Sequence, residues 1–153
     1  MEDVKKRNNV RIIGTGERVV MFAHGFGCDQ NMWRLITPAF KNGYRIILFD
    51  HVGSGQSDLN AYNEKKYQHL DGYANDIIEI LMDLKLREVI FVGHSVAAMM
   101  GILAASKNPD LFSHLILVGP SPYYINEDGY EGGFTRPQIE ELLESMDNNH
   151  LGW

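Results

Sequence analysis

The stretch Gly93-His94-Ser95-Val96-Ala97 constrains this chain more than any other. An apolar, largely β-branched run, Val89-Ile90-Phe91-Val92, leads into it. A run rich in Ala and Met, Val96 to Lys107, leads out of it with helical character. A strand that feeds directly into a helix must reverse its backbone within a residue or two. The positions flanking that turn must then be small, because helix and strand nearly touch there. Gly93 meets the requirement, and Ala97 exceeds it by one methyl group. Gly-x-Ser alone is a weak signal; the strand before it and the helix after it are what give it meaning.

The rest of the chain alternates in the same way. Val10-Arg11-Ile12-Ile13 and Val19-Val20-Met21-Phe22 flank Gly14-Thr15-Gly16 and read as a β-hairpin. Met32, Leu35, Ile36 and Phe40 predict a helix from Asp29 to Phe40. Arg45-Ile46-Ile47-Leu48-Phe49 reads as a buried strand. Tyr67, Leu70, Tyr73, Ile77, Ile78, Leu81 and Leu84 recur at steps of three and four and predict one long helix. Leu115-Ile116-Leu117-Val118 is a further strand. Strands separated by helices predict an α/β fold: a mostly parallel sheet with helices on both faces.

Residues 1–120 form this core, and the character changes after Pro120. Residues 121–134 are rich in Gly, Tyr and Pro and read as a loop. Thr135 and Gln138 make a capping box for a short amphipathic helix, with Ile139, Leu142, Leu143 and Met146 as its apolar stripe. At 153 residues, 44% hydrophobic and 22% charged, the chain is of ordinary globular composition. A net charge of −6 argues against a nucleic-acid partner held by a basic surface. No apolar run approaches the roughly 18 residues of a membrane span, and no signal-peptide pattern follows the polar start. The single cysteine, Cys28, excludes an internal disulfide and makes a reducing, cytoplasmic compartment the default expectation.

Ligands of open parallel sheets bind beyond the carboxyl ends of the strands. The unusual residues of this chain fall there: His24-Gly25-Phe26-Gly27, Asp50 to Ser57, Ser95, and Gly119-Pro120-Ser121-Pro122. At a strand–turn–helix junction Ser95 takes the place of a nucleophile on its elbow. The backbone N–H of Val96 is then one donor of an oxyanion hole, and that of Phe26, in the glycine-rich loop, is the second. His24, Gly25, Cys28 and His94 lie around this rim. His94 adjoins Ser95 on a tight turn, where neighbours point apart, and reads as structural. His24 and His51 read as loop organisers, and Asp50 as a loop anchor, a catalytic role being the alternative. His69, His114 and His150 read as surface or element-end residues. Cys28 reads as a small apolar wall residue. Gly53-Ser54-Gly55 lacks the rest of a dinucleotide fingerprint, and neither a phosphate loop nor a metal-ligand spacing is present.

These motifs together resemble the α/β-hydrolase superfamily. More narrowly, they are similar to the RsbQ-like group of bacterial stress-signalling hydrolases of the sigma-B pathway, which also takes in the plant strigolactone and karrikin receptors. The resemblance is carried by Met21 to Gln30, Ile47 to Gly55, Leu70 to Ala74, Phe91 to Val96 and Leu117 to Pro122. It implies a Ser-His-Asp hydrolase with a helical lid over a small apolar pocket. The expected substrate is a small hydrophobic ester or lactone, with no metal or organic cofactor, and a signalling phosphatase is the implied protein partner. In that fold the acid and base follow the serine in chain order, and they are not found here by residue 153. The expectation is therefore an amino-terminal part of such a hydrolase, truncated before its last strands. It carries the start of the lid at residues 121–153, is inactive alone, and leaves the edge at Leu115 to Val118 open to pairing with another chain. A non-catalytic ligand-binding regulator and one half of a split enzyme are the alternatives.

Overall fold

A computed structural model describes residues 3–148, which fall into two compact units divided after Pro120. The first contains five strands: β1 (Arg11–Ile13), β2 (Arg18–Ala23), β3 (Tyr44–Leu48), β4 (Val89–His94) and β5 (Phe112–Val118). They form one sheet in the order β1-β3-β2-β4-β5. All pairs are parallel except β1 with β3. The helices are α1 (Val4–Arg7), α2 (Glu64–Tyr67), α3 (Leu70–Asp83) and α4 (Val96–Lys107), and α5 (Arg136–Asn148) belongs to the second unit.

Alternation along the strands sorts the core into two faces. Met21, Ala23, Ile47, Phe49, Val89 and Phe91 pack under α3 and α4, against Ile77, Leu81, Ala97, Met100 and Ala104. Gly101 of α4 lets the helix lie on the Phe91 ring, which a side-chain carbon there would strike. Val20, Phe22, Ile46, Leu48 and Val92 face the other way and meet Trp33 and Phe40. The Phe22 ring lies 5.0 Å from Trp33 and 5.6 Å from Phe40. On that side an apolar hollow runs from Trp33 and Phe40 to Ile116 and Val118, which β5 leaves half-exposed at the sheet edge.

Three elements differ from the sequence reading. The predicted hairpin does not form: β1 pairs with β3, Arg11 opposite Leu48, while β2 runs on the far side of β3. Gly14 and Gly16 serve a close crossing instead. A side-chain carbon on Gly14 would meet the Tyr44 carbonyl, and one on Gly16 the Gly43 backbone. The helix predicted over 29–40 is two 3₁₀ segments, Gln30–Leu35 and Thr37–Ala39. Pro38 lacks an N–H and disfavours helical backbone at the residue before it. The long helix predicted from Tyr67 is broken into α2 and α3. The chain folds back so tightly there that Gly72 abuts the Lys66 carbonyl.

The amino terminus is pinned by charge. Arg7, almost fully buried, meets Asp76 of α3 at 3.0 Å and Glu79 at 2.7 Å. Asp76 also takes Lys66 at 2.7 Å and the Tyr67 hydroxyl at 3.0 Å. Burial pushes the Asp76 carboxyl above its ordinary range against these partners.

In the second unit the stretch read as a loop is ordered by its own contacts. Ile125 bridges Phe134, and Glu127 bridges Tyr130 across a turn with Gly129 in the left-handed region. The Gln138 side chain accepts from the Thr135 N–H at 2.8 Å, one limb of the capping box, and also takes the Thr135 hydroxyl at 3.0 Å. No described residue of α5 is buried. Among the described residues no helix is long and apolar enough to cross a membrane.

Candidate active site

Ser95 stands between β4 and α4 with φ 55° and ψ −122°. A left-handed backbone on a non-glycine residue is strained, at a cost of about 1–3 kcal/mol, and persists only where its surroundings hold it. Its N–H donates to the Val118 carbonyl at 2.8 Å, so the neighbouring strand end fixes the turn. Its carbonyl accepts from Ala98 at 3.0 Å and starts the helix. Gly93 allows helix and strand to close on each other. A side-chain carbon there would stand 2.7 Å from the Ala97 carbonyl oxygen and 2.8 Å from the Ala98 Cα.

A cavity of about 280 Å³ opens beside this turn. Gly25, Phe26 and Val96 line it on one side, and residues 51–54 on another. Tyr62, Leu70, Tyr73 and Met100 supply the rest of a mostly apolar wall. The structure thus brings together the residues read as oxyanion donors, Phe26 and Val96, at the mouth of one pocket next to Ser95. Phe26 is 65% exposed, so its ring stands at the entrance. Gly25 packs on His94: a side-chain carbon would come within 2.6 Å of the half-buried imidazole Nδ1.

Cys28 does not line this cavity. It belongs to a separate shallow hollow with Asp29, Met32 and Arg34, because the turn closed by the Cys28 N–H to the Gly25 carbonyl (3.3 Å) carries it onward. His24 is buried behind the rim and also does not line the cavity.

The loop after β3 is held from within. Asp50 accepts from Asn9 Nδ2 at 2.7 Å, the Gln56 N–H at 2.9 Å and the Gln30 N–H at 2.9 Å. Burial works to raise this carboxyl, but the three hydrogen bonds outweigh it and hold it below its usual range. Gly55, at φ 54°, sits where any side chain would strike the carboxylate. Asp50 therefore ties the amino terminus, the loop after β2 and its own loop together.

His24 and His51 lock the same loops. The His51 N–H donates to His24 Nε2 at 3.1 Å, so His24 carries its proton on Nδ1, which donates to the Gly25 carbonyl at 2.9 Å. His51 Nε2–H donates to the His24 carbonyl at 3.0 Å. Both rings are held neutral. Burial, then the neighbouring His24, lowers His51 from 6.5 to about 3, and burial also lowers His24. Each folded pKa lies below the unfolded value, so this stability is complete above about pH 6.5 and is lost as pH falls toward the folded pKa. The unfolding free energy is expected to drop between pH 6.5 and 4, with a slope approaching about 1.4 kcal/mol per pH unit from His51 alone. Urea unfolding at a series of pH values checks this. A profile equally steep in His51→Phe would remove His51 as its source.

Sequence reasoning passed over His51, Tyr62, Tyr73 and Met100 as wall residues. The tyrosines lie at helical or loop positions that read as core. His51, directly after the loop anchor, was the one with a visible signal. Of the other histidines, His114 lies near the start of β5, opposite Ile90, and borders a different hollow with Arg18 and Arg87. His150 lies outside the described residues. Among the described residues no group of three His, Cys, Asp or Glu side chains is placed to hold a metal.

Comparison with known proteins bears out the fold. Residues 18–147 match the family model for the alpha/beta hydrolase fold. The chain is 40% identical over 153 residues to Karrikin insensitive 2 receptor B of Petunia hybrida, covering 100% of this chain and 56% of the relative. It is 43% identical over 145 residues to Strigolactone esterase D14 of Arabidopsis thaliana, covering 95% and 54%. A solved hydrolase from Oleispira antarctica superposes with a TM-score of 0.92 at 47% identity, over 99% of this chain and 56% of that one. The chain spans about half the length of the curated relatives it matches.

Proposed function

From the premise that this chain belongs to the alpha/beta hydrolase fold family, we propose that it is the nucleophile-bearing part of an RsbQ-like serine hydrolase. The observation that carries the proposal is Ser95 on a left-handed turn, beside an apolar cavity bordered by Phe26 and Val96. The reaction is acyl transfer. Ser95 Oγ attacks the carbonyl of a small hydrophobic ester or lactone while a histidine takes its proton. The N–H groups of Phe26 and Val96 stabilise the oxyanion as it forms. Collapse of the intermediate breaks the ester C–O bond as the histidine returns the proton to the leaving alcohol oxygen, which in a lactone stays tethered to the acyl chain; water, giving a proton to the same histidine, then hydrolyses the acyl-enzyme and restores Ser95. The histidine and its carboxylate follow the serine in chain order in this fold. His114 is at the wrong end of its strand, so the proposal assigns both to parts of the protein outside the described residues.

Names among the relatives support the substrate class: one is an esterase of strigolactone, another a karrikin-type receptor. A second reading follows from the same names. The cavity serves as a receptor site whose occupancy is signalled to a protein partner, and by the RsbQ-like resemblance that partner is a phosphatase in a stress pathway.

A fluorophosphonate probe applied to the full-length gene product tests the first reading. The expected result is one covalent adduct, located on the Ser95 peptide by mass spectrometry and lost in Ser95→Ala. A label that persists in Ser95→Ala, or none on the folded wild type, would overturn it.

A further inference from the structure

The backbone N–H of Phe26 belongs to the same planar trans peptide as the carbonyl of Gly25, and the two point in opposite directions across it. Whatever grips that carbonyl therefore aims that N–H. Two donors grip it. The Cys28 N–H closes the turn at 3.3 Å, and His24 Nδ1–H donates at 2.9 Å. The Phe26 N–H itself has no acceptor among the described residues, which leaves it open to a ligand. His24 is fixed in turn. It is 1% exposed, and the His51 N–H donates to its Nε2 at 3.1 Å. An Nε2 that accepts leaves the proton on Nδ1, so this one bond selects the tautomer that can hold the Gly25 carbonyl. Asp50 Oδ1 lies 3.9 Å from Nε2, beyond hydrogen-bond reach, and takes the Gln30 N–H instead. The His51 ring, tilted against that of His24 at 4.4 Å, returns its own Nε2–H to the His24 carbonyl at 3.0 Å. The peptides on both sides of Gly25 are thus tied to the loop after β3.

We propose that His24 is a positioning residue for the reaction: through the Gly25 carbonyl it orients the Phe26 N–H toward the oxyanion, and the loop after β3 holds it in the tautomer that does so. The proposal rests on the reading of Ser95, Phe26 and Val96 as nucleophile and oxyanion donors, and adds the group that aims one of those donors. His24 does not line the cavity and acts only through the peptide it grips. That peptide meets its full load only as charge develops on the substrate oxygen, so His24 bears on kcat rather than on ground-state binding.

Two substitutions in the full-length protein separate the two ring nitrogens. His24→Gln places an acceptor near the position of Nε2 and no donor at that of Nδ1; His24→Asn keeps a donor near Nδ1 and gives up the bond to His51. With p-nitrophenyl acetate, kcat per folded molecule is expected to fall about 10- to 100-fold in His24→Gln, a part of what a deleted oxyanion donor costs. KM, and the affinity for 2-naphthol measured by calorimetry, should hold within about two-fold. His24→Asn is expected to keep kcat within about three-fold of the wild type. A His24→Gln kcat equally close to the wild type, or an equal loss in both variants, overturns the proposal and leaves the hydrolase reading in place. A wild type that does not turn over the ester overturns that reading, and the proposal with it. A further measurement needs no variant. Phenylboronic acid takes Ser95 Oγ onto boron and sets a negatively charged tetrahedral group at the oxyanion position. An N–H that donates to such charge makes the carbonyl of its own peptide a stronger acceptor, so the His24 Nδ1 proton resonance should move downfield. 2-Naphthol should leave it in place; equal responses to the two ligands overturn the proposal even if neither variant folds.

Discussion

Ser95→Ala is expected to lower ester turnover of the full-length protein by on the order of a million-fold, if Ser95 is the nucleophile as proposed. The loss should fall on kcat, and stability should change by no more than about one hydrogen bond's worth, ~1 kcal/mol. Serine and alanine both carry a Cβ, so both bear the same strain at φ 55°, and the N–H to Val118 and the carbonyl to Ala98 are backbone groups that the substitution keeps. The cavity wall is formed by other residues, so affinity for an apolar ligand should hold within about two-fold. A nucleophile is thereby separated from a positioning serine: loss of ligand affinity or of melting temperature in step with turnover would point to the latter. Steady-state kinetics with p-nitrophenyl acetate, calorimetric binding of 2-naphthol and thermal melts on the same preparations make the comparison.

Gly93→Ala should destabilise the first unit by about 3 kcal/mol, a large effect for one methyl group. The added carbon meets the Ala97 carbonyl oxygen at 2.7 Å and the Ala98 Cα at 2.8 Å, and both are backbone atoms of α4. No side-chain rotation relieves such a contact, so the helix must lift from the strand, and overpacking of this kind costs about 1–3 kcal/mol or more. Lifting α4 also carries Val96 away from Phe26, so reactivity should fall further than the folded fraction does. Gly25→Ala provides the contrast. Its added carbon meets the His94 imidazole, a side chain that can tilt, and a smaller loss of stability is expected. Urea denaturation followed by far-UV circular dichroism ranks the two. A Gly93→Ala protein as stable as the wild type would mean that the turn does not need a glycine.

What could be read from the residues, and what could not, divides along the range of the interaction. The elbow was legible because strand, turn and helix are contiguous, and α4 runs from Val96 to Lys107 as its composition implied. The position of the glycine-rich loop beside Ser95 followed from the rule that sites gather at strand ends. The pairing of β1 was not legible. Gly14-Thr15-Gly16 satisfies the local chemistry of a hairpin, whereas its actual use, a crossing over Gly43 and Tyr44, depends on a strand some thirty residues away. The break between α2 and α3 was hidden for a similar reason: Tyr67 keeps helical spacing with Leu70, but its hydroxyl is directed to Asp76 across the fold-back. His51 was seen as a loop organiser, and it is one.

The order of strands bears on how this protein is made. β2 lies at the centre, with Val20 paired to Ile46 on one side and to Ile90 on the other. A ribosome adds about 5–20 residues per second. The second partner therefore emerges about 4–14 s after β2 itself, far longer than the microseconds to milliseconds that collapse and local structure require. Throughout that interval Val19 to Ala23, apolar on both faces, has at least one unpaired edge. A nascent chain with this topology is a natural client for a holding chaperone until β4 is delivered, and codon choices that slow synthesis between α2 and β4 would lengthen its exposure.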